Sequence, residues 1–138
     1  MKRTLLILSA FIMVFAAFSY SGEFPRVKKS NAEYHRIESN YLKGLNSDNL
    51  QLEVSCAYFL GEMQSSEAVI PLMEMFHNTK NDGAKLVAAW SLLKIGDARG
   101  VYLVKSSIDS KDCRSISCML NYLYTDYSLK TNGKIDRG

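Results

Sequence analysis

The chain of 138 residues has little of what catalytic and metal-binding sites are usually built from. His35 and His77 are its only histidines, and neither has cysteine, histidine or carboxylate neighbours at the spacing of zinc ligands. No glycine-rich phosphate loop occurs. The acids Glu62, Glu67 and Glu74 fall on predicted helix surfaces, where they do not form the facing pair that acid–base catalysis needs. These absences predict a non-enzymatic protein with no metal, no cofactor and no small-molecule substrate.

Excess charge of one sign is also scarce. The chain has 17 basic and 14 acidic residues, and two of the basic ones, Lys2 and Arg3, lie in a segment that we expect to be removed. A nucleic-acid binder needs a concentrated basic stripe to displace counterions from phosphates. Only residues 26–29 are clustered in this way, and we interpret them as part of a solvated linker. Nucleic acid is therefore not an expected partner.

The one long apolar run lies at the N-terminus. Two basic residues precede the uncharged run 5–18, and Ala17, Ser19 and Ser21 supply the small residues that signal peptidase recognises. Cleavage after Ser19 and cleavage after Ser21 fit equally well. An uncleaved anchor is the alternative, but the run is shorter than the ~20 residues of a spanning helix. We predict a signal peptide over 1–21, a linker over 22–30, and export to the periplasm or the extracellular space with no stable membrane span.

Three cysteines in an exported chain raise the question of a disulfide. Cys113 and Cys118 are five residues apart on one predicted helix, which separates their Cα atoms by more than the roughly 7 Å that a disulfide spans. Cys56 lies two units earlier in the sequence. We expect all three to act as small buried hydrophobic residues. A bond between Cys113 and Cys118 stays open if the helix begins after Cys113.

An internal repeat predicts the fold. Residues 56–76, CAYFLGEMQSSEAVIPLMEMF, recur as residues 88–108, AAWSLLKIGDARGVYLVKSSI, at an offset of 32. A period between about 20 and 50 residues is typical of a solenoid, in which helical units bury their apolar faces against one another. Turn signals predict helices that end near residues 45, 63, 77, 95, 108 and 124. We predict an all-α, short right-handed α-solenoid of about six antiparallel helices over 31–125, followed by a polar tail over 126–138. The alternative is a compact six-helix bundle.

Two segments carry a family resemblance. KIGDAR at residues 94–99 and AVIPL at residues 68–72 resemble the helix link and the second-helix opening of short HEAT repeats, found in phycobilisome-lyase-like and many bacterial scaffold proteins. The resemblance covers about 49–124, with roughly two full helix pairs and a terminal helix at each end. It implies protein binding or scaffolding. The alternatives are an accessory lyase or chaperone for a chromophore-bearing protein, and a self-associating structural protein.

The register of the repeat predicts which side chains face inward. They are Ala84, Ala88, Ser91, Leu92 and Ile95 with their counterparts Leu52, Cys56, Phe59, Leu60 and Met63. The opposite face is apolar where the family carries charge, and we call it the outer ridge. The outer ridge comprises Val54, Tyr58, Leu86, Trp90, Leu93, Met119 and Tyr122, with Gly61 at the place of Leu93 in the first unit. Contiguous apolar surface with Trp and Tyr at its centre predicts a protein interface.

Two other possibilities accompany the outer ridge. Phe24, Leu129 or Ile135 from the chain ends would cover it if its role were intramolecular. A second candidate surface is the concave face that the second helices line in HEAT repeats. Its residues are Ile70, Glu74, Tyr102 and Lys105.

Overall fold

The computed structural model of the protein describes residues 31–135, with side chains to residue 131. This part is all-helical and contains no strand. Its helices are α1 (Asn31–Gly44), α2 (Leu50–Met63), α3 (Val69–Asn78), α4 (Asp82–Ile95), α5 (Ala98–Ser107) and α6 (Ser117–Ile135). Short 3₁₀ turns at Ser66–Ala68 and Lys111–Cys113 precede α3 and α6. None of the described helices combines the length and the apolar character needed to cross a membrane. The predicted signal peptide and linker lie outside the described residues.

Side-chain caps begin three of the helices. The side chain of Asn49 accepts hydrogen bonds from two backbone N–H groups at the start of α2. Asn81 accepts one from Ala84 at the start of α4, and Asp97 accepts one from Arg99 at the start of α5. Each cap pairs a backbone donor that the first turn of a helix would otherwise leave unsatisfied. The helix ends that the sequence predicts near residues 45, 77 and 95 lie within one residue of those in the structure, at Gly44, Asn78 and Ile95.

Two left-handed residues end α2 and α4. Gly96 takes a φ of 77° at the end of α4, a conformation that costs glycine nothing. Gln64 takes a φ of 53° at the end of α2, where a side chain is disfavoured. Its amide Nε2 donates a hydrogen bond of 3.1 Å to the carbonyl oxygen of Lys94, in the last turn of α4. This bond ties the ends of α2 and α4 together and accounts for a non-glycine residue at the position.

Helix α4 lies at the centre of the core. It contacts α2, α3, α5 and α6, while α1 packs on α2 and α5 packs on α6. Small side chains let α2 and α4 approach closely, and the Ser91 hydroxyl donates a 2.8 Å hydrogen bond to the carbonyl oxygen of Ala57. The fully buried side chains around this contact are Ala57, Leu60, Leu72, Phe76, Ala88, Ala89, Leu92 and Leu120.

The last helix differs from the prediction. It begins at Ser117, because the 3₁₀ turn precedes it, and it continues to Ile135 where an end near residue 124 was expected. Residues 126–135, predicted as part of a polar tail, are therefore helical. The physical reason is that Tyr127 packs against the core beyond the predicted end, as Leu123 and Tyr124 do before it.

The inward register is correct on α4 and partly wrong on α2. Cys56 and Leu60 are buried like their counterparts, but Leu52 and Phe59 are exposed. On α4 all the predicted inward residues are buried except Ile95, which is half-buried. The difference arises because α4 has helices on several sides, whereas α2 has its main neighbours in α1 and α4.

Candidate functional site

Four aromatic rings form a connected row across three helices, which we call the aromatic row. Tyr41 of α1 stacks on Phe59 of α2, with ring centroids 5.3 Å apart and planes inclined by 15°. Phe59 meets Tyr58 edge to face at 5.5 Å, and Tyr58 stacks on Trp90 of α4 at 4.9 Å and 9°. All three separations fall within the favourable range for aromatic pairs. The aromatic row therefore links α1, α2 and α4.

The aromatic row is anchored in the core yet open to solvent. Tyr58 and Phe59 are each 44% exposed. Tyr41 and Trp90 are half-buried, and Tyr41 also packs against the hydrophobic core. Rings held by their neighbours lose little conformational freedom when a partner covers them. The row thus offers a preorganised apolar surface.

Lys94 also contacts Trp90. Its Nζ lies 5.2 Å from the centroid of the Trp90 ring, within the range of a cation–π contact. The same Nζ forms a 3.0 Å ion pair with Glu62 of α2, and both side chains are about 43% exposed. Trp90 therefore contacts both Tyr58 and Lys94, and Lys94 is paired with an acid of α2.

A groove continues from Trp90 toward α6. It has a volume of about 420 Å³ and is lined by Trp90, Leu93, Lys94, Leu123, Asp126, Tyr127 and Lys130. Its apolar side chains come from both helices, and its rim carries a 2.6 Å ion pair between Lys130 and Asp126. The volume lies within the range of about 300–1,000 Å³ that is usual for ligand pockets, although this groove is open to solvent.

The structure brings only some of the outer-ridge residues together. Tyr58 and Trp90 stack on each other, as adjacent positions on one face should. Val54 and Leu86 are half-buried against the core. Leu93 is buried, so its placement on an exposed ridge is wrong, since α6 and Leu93 meet in the groove. Leu129 does not cover the aromatic row, because its own side chain is 70% exposed. Phe24 and the side chain of Ile135 lie outside the part of the chain that the structure describes.

Met119 and Tyr122 lie on α6, apart from the outer-ridge residues on α2 and α4. They are exposed on α6, whose Leu123 and Tyr127 line the groove. The outer ridge is therefore divided, with the aromatic row on one side of the groove and the exposed residues of α6 beyond it.

The predicted concave face consists of exposed residues on two helices. Ile70 and Glu74 lie on α3, and Tyr102 and Lys105 lie on α5. Within the described part of the chain, no hydrogen bond, ion pair or ring contact joins the α3 pair to the α5 pair. Lys105 instead lies with its Nζ 5.9 Å from the ring of Tyr124 on α6. The residues of the concave face therefore contact one another less than the residues of the aromatic row do.

A buried carboxylate connects α1 to the turn before α3. The Ser65 hydroxyl donates a 2.5 Å hydrogen bond to Glu38 Oε1, and His35 Nδ1 lies 3.3 Å from Glu38 Oε2. The hydroxyl of Tyr34 donates to the carbonyl oxygen of Met63, and burial together with the nearby Glu38 raises the pKa of that phenol. The carboxylate lies between serine and imidazole. In a Ser–His–acid triad the imidazole contacts the serine, so this order does not activate the hydroxyl.

The cysteines are unpaired thiols. Cys56 and Cys113 are buried, and burial raises the pKa of each. Cys118 is exposed, so the expectation that all three are buried is wrong for this one. No group of three or more His, Cys, Asp or Glu side chains between residues 31 and 131 is placed to hold a metal ion.

No protein-family model matches this chain, and no curated protein matches it. The resemblance to short HEAT repeats rests on the two segments at 68–72 and 94–99 and stays a prediction. The sequence did not predict Tyr41 as the stacking partner of Phe59 or Tyr127 as a neighbour of Trp90 in the groove, and it placed Phe59 inside. The register contained no signal for Tyr41, because α1 has no counterpart within the 32-residue repeat.

Proposed function

We propose that this protein is an exported, non-enzymatic scaffold that binds another protein through the aromatic row and the adjoining groove. The observation that carries the proposal is the stacked pair of Tyr58 and Trp90, which is partly exposed and held in place by Lys94. Tyr and Trp are the side chains most often found as energetic centres of protein interfaces. The charges of Glu62, Lys94 and Lys130 would form the polar rim that surrounds such a centre.

The framework that we propose for this scaffold is a HEAT-like, right-handed solenoid, and the pattern of helix contacts is compatible with the solenoid. Helix α2 contacts α4, and α4 contacts α6, so alternate helices stack on one another. Helix α3 also contacts α5. Stacking between elements one repeat apart is what a solenoid with a 32-residue period requires. Export is supported by the charged start, the apolar run and the small residues of the first 21 positions.

A purely intramolecular role for the aromatic row makes a different prediction. Stacked rings also fasten helices together, and each aromatic pair contributes roughly 0.5–1.5 kcal/mol beyond its buried area. If fastening were the only role, Tyr58 would have no neighbour from another molecule. The two roles are separated by asking what lies next to Tyr58 in the cell.

Site-specific photo-crosslinking tests the proposal. A benzophenone amino acid is incorporated at Tyr58 in cells that produce the protein, so that one aromatic residue replaces another. Tyr102, which is 72% exposed on α5, receives the same replacement as a matched control. After irradiation, the products are separated by mass and identified. We expect a heterologous adduct from position 58 and none from position 102.

Three outcomes contradict the proposal. Absence of an adduct at position 58, with normal helical content of the variant, favours the intramolecular role. Equal adducts at positions 58 and 102 indicate nonspecific contact. An adduct of twice the mass of the chain indicates that a second copy, not a different protein, covers the aromatic row.

A further inference from the structure

Helix α6 has an exposed apolar face beside the groove. Leu120 is fully buried, and Leu123 and Tyr127 line the groove, so these residues define the inner face of the helix. The outward side carries Met119, Tyr122, Asp126 and Leu129, which we call the α6 stripe, and Asp126 at its edge also lines the groove. Met119, Tyr122 and Leu129 are 51%, 66% and 70% exposed. Large apolar side chains left this open on one face of a helix usually mark an interface.

The spacing of the α6 stripe is that of a helix-pairing seam. Its members follow one another at intervals of three, four and three residues. Such alternation keeps side chains in line along one edge of a helix and is the a/d pattern of two-stranded coiled coils. The stripe spans 11 residues, or about three helical turns.

We propose that the α6 stripe pairs with the α6 stripe of a second copy of this chain, in antiparallel orientation. A two-fold axis beside residue 124 places Met119 opposite Leu129 of the partner subunit. The same axis places Tyr122 opposite Asp126 of the partner subunit. Both pairs are satisfied by one register, so the stripe is self-complementary under the symmetry that homodimers most often adopt.

The polar member of the stripe selects the orientation. In the antiparallel register the phenol of Tyr122 donates a hydrogen bond to the Asp126 carboxylate of the partner subunit. In a parallel register Asp126 would face Asp126 of the partner subunit, and two like charges would oppose each other in the seam. Lys130, which pairs with Asp126 within the chain at 2.6 Å, lies beside the seam and remains exposed. This charge pattern favours a second copy in antiparallel orientation.

The size of the contact predicts how the dimer behaves. Two helices that touch over about three turns bury less than the roughly 800 Å² per partner of a standard interface. We therefore expect a dimer that exchanges rapidly with monomer and is populated at high protein concentration. The proposal does not depend on the proposed function, because Asp126 is the only member of the α6 stripe that also lines the groove.

Sedimentation velocity over a range of protein concentrations tests whether the dimer forms. The protein is purified as cells produce it. We expect Leu129→Lys to raise the dimer dissociation constant on the order of tenfold or more, since it places a charge opposite Met119 of the partner subunit. Tyr102→Lys adds the same charge at an exposed position on α5 and should leave the constant unchanged. A protein that stays monomeric at every concentration, or a dimer that Leu129→Lys does not weaken, overturns the proposal.

Cysteine crosslinking tests the register independently of any loss of stability. In the antiparallel register two copies of position 125 are offset by about 3 Å along the helix axis, while two copies of Cys118 are offset by about 18 Å. Packed helices lie about 8–10 Å apart, and position 125 flanks the seam, so its two Cα atoms lie beyond the roughly 7 Å that a disulfide spans. We therefore expect a short bifunctional maleimide, which reaches further than a disulfide, to link the Thr125→Cys variant, made in a Cys118→Ser background, and not to link the unmodified protein through Cys118. Linkage through Cys118 in place of position 125 overturns the antiparallel register.

Discussion

Replacing Gly61 by alanine tests how closely α2 and α4 approach each other. A Cβ atom built at position 61 lies 2.8 Å from the Cα, the Cβ and the Oγ of Ser91. In folded proteins a Cβ atom does not come this close to another heavy atom, so residue 61 or Ser91 must move. The Cα of Ser91 is a backbone atom and cannot rotate away. We therefore expect the substitution to push the two helices apart.

Two destabilising effects oppose one stabilising effect. Overpacking of a well-packed core costs about 1–3 kcal/mol. The hydrogen bond from Ser91 to Ala57 bridges the same helices, and weakening it costs up to about 1 kcal/mol. Alanine in place of glycine inside a helix gains about 1 kcal/mol. Together these effects lower the free energy of unfolding by about 0–3 kcal/mol, and each kcal/mol lost lowers the Tm by about 4–8 °C in a domain of this size.

Urea and thermal unfolding followed by circular dichroism measure the effect. Gly83→Ala is the matched control, because near the exposed start of α4 its Cβ would meet only Asn81 Oδ1, at 3.2 Å, and a shift of a few tenths of an ångström relieves this contact. The control should change stability by less than about 0.5 kcal/mol. A Gly61→Ala protein that gains about 1 kcal/mol, the full helix preference of alanine, would refute the close approach of α2 and α4.

The same variant reports on the aromatic row. Tyr58 of α2 stacks on Trp90 of α4, and Trp90 is the only tryptophan in the chain. A shift of α2 away from α4 should therefore open this stack and move the tryptophan emission toward longer wavelengths. An unchanged emission spectrum in a destabilised Gly61→Ala protein would indicate that strain is relieved elsewhere.

Other substitutions probe a polar contact, two thiols and a helix cap. Ser65→Ala removes the hydroxyl that donates to the buried Glu38, which should cost about 1.5–3 kcal/mol in urea unfolding; a loss below about 0.5 kcal/mol would mean that the carboxylate is solvated. Because burial raises the pKa of Cys56 and Cys113, the unfolded chain loses these protons first as pH rises, so stability should decline above about pH 8.5. The double alanine variant of these cysteines should show a shallower decline between pH 7.5 and 10, and an identical profile would contradict this cause. Asn81→Ala should lower the free energy of unfolding by about 1 kcal/mol, because the cap of α4 is lost, whereas Asn81→Gly should lower it by only a few tenths. Equal losses of stability in thermal melts of the two variants would count against the cap.

The repeat predicted equivalent positions better than it predicted burial. Cys56 and Ala88 are 32 residues apart, and both are buried, with the Sγ of Cys56 lying against Gly44 of α1. Phe59 and Ser91 have the same offset, but only Ser91 is buried. Periodicity identifies residues that hold the same place in a unit. It does not reveal whether each unit has the same neighbours, and α1 is not a copy of any helix in the repeat.

The extension of α6 shows a second limit of prediction from the sequence. Residues 125–131 read TDYSLKT, which lacks an apolar period long enough to predict a helix. The structure extends α6 through this segment because Tyr127 packs on the core of the preceding units. A tertiary contact of this kind overrides weak local preference. It also creates the groove and buries Leu93, which is why the predicted ridge is divided.

The position of Trp90 decides which substitution can separate binding from folding. Its ring stacks on Tyr58, lies beneath Lys94 and lines the groove shared with α6, so Trp90→Ser would disturb several helices at once. A loss of binding in that variant would have two explanations. Tyr58 is 44% exposed, and Tyr58→Ser removes its stack on Trp90 and its edge contact with Phe59, at roughly 0.5–1.5 kcal/mol for each aromatic pair. A partner that no longer binds a Tyr58→Ser protein that stays folded despite this loss must therefore have contacted the exposed face of that ring.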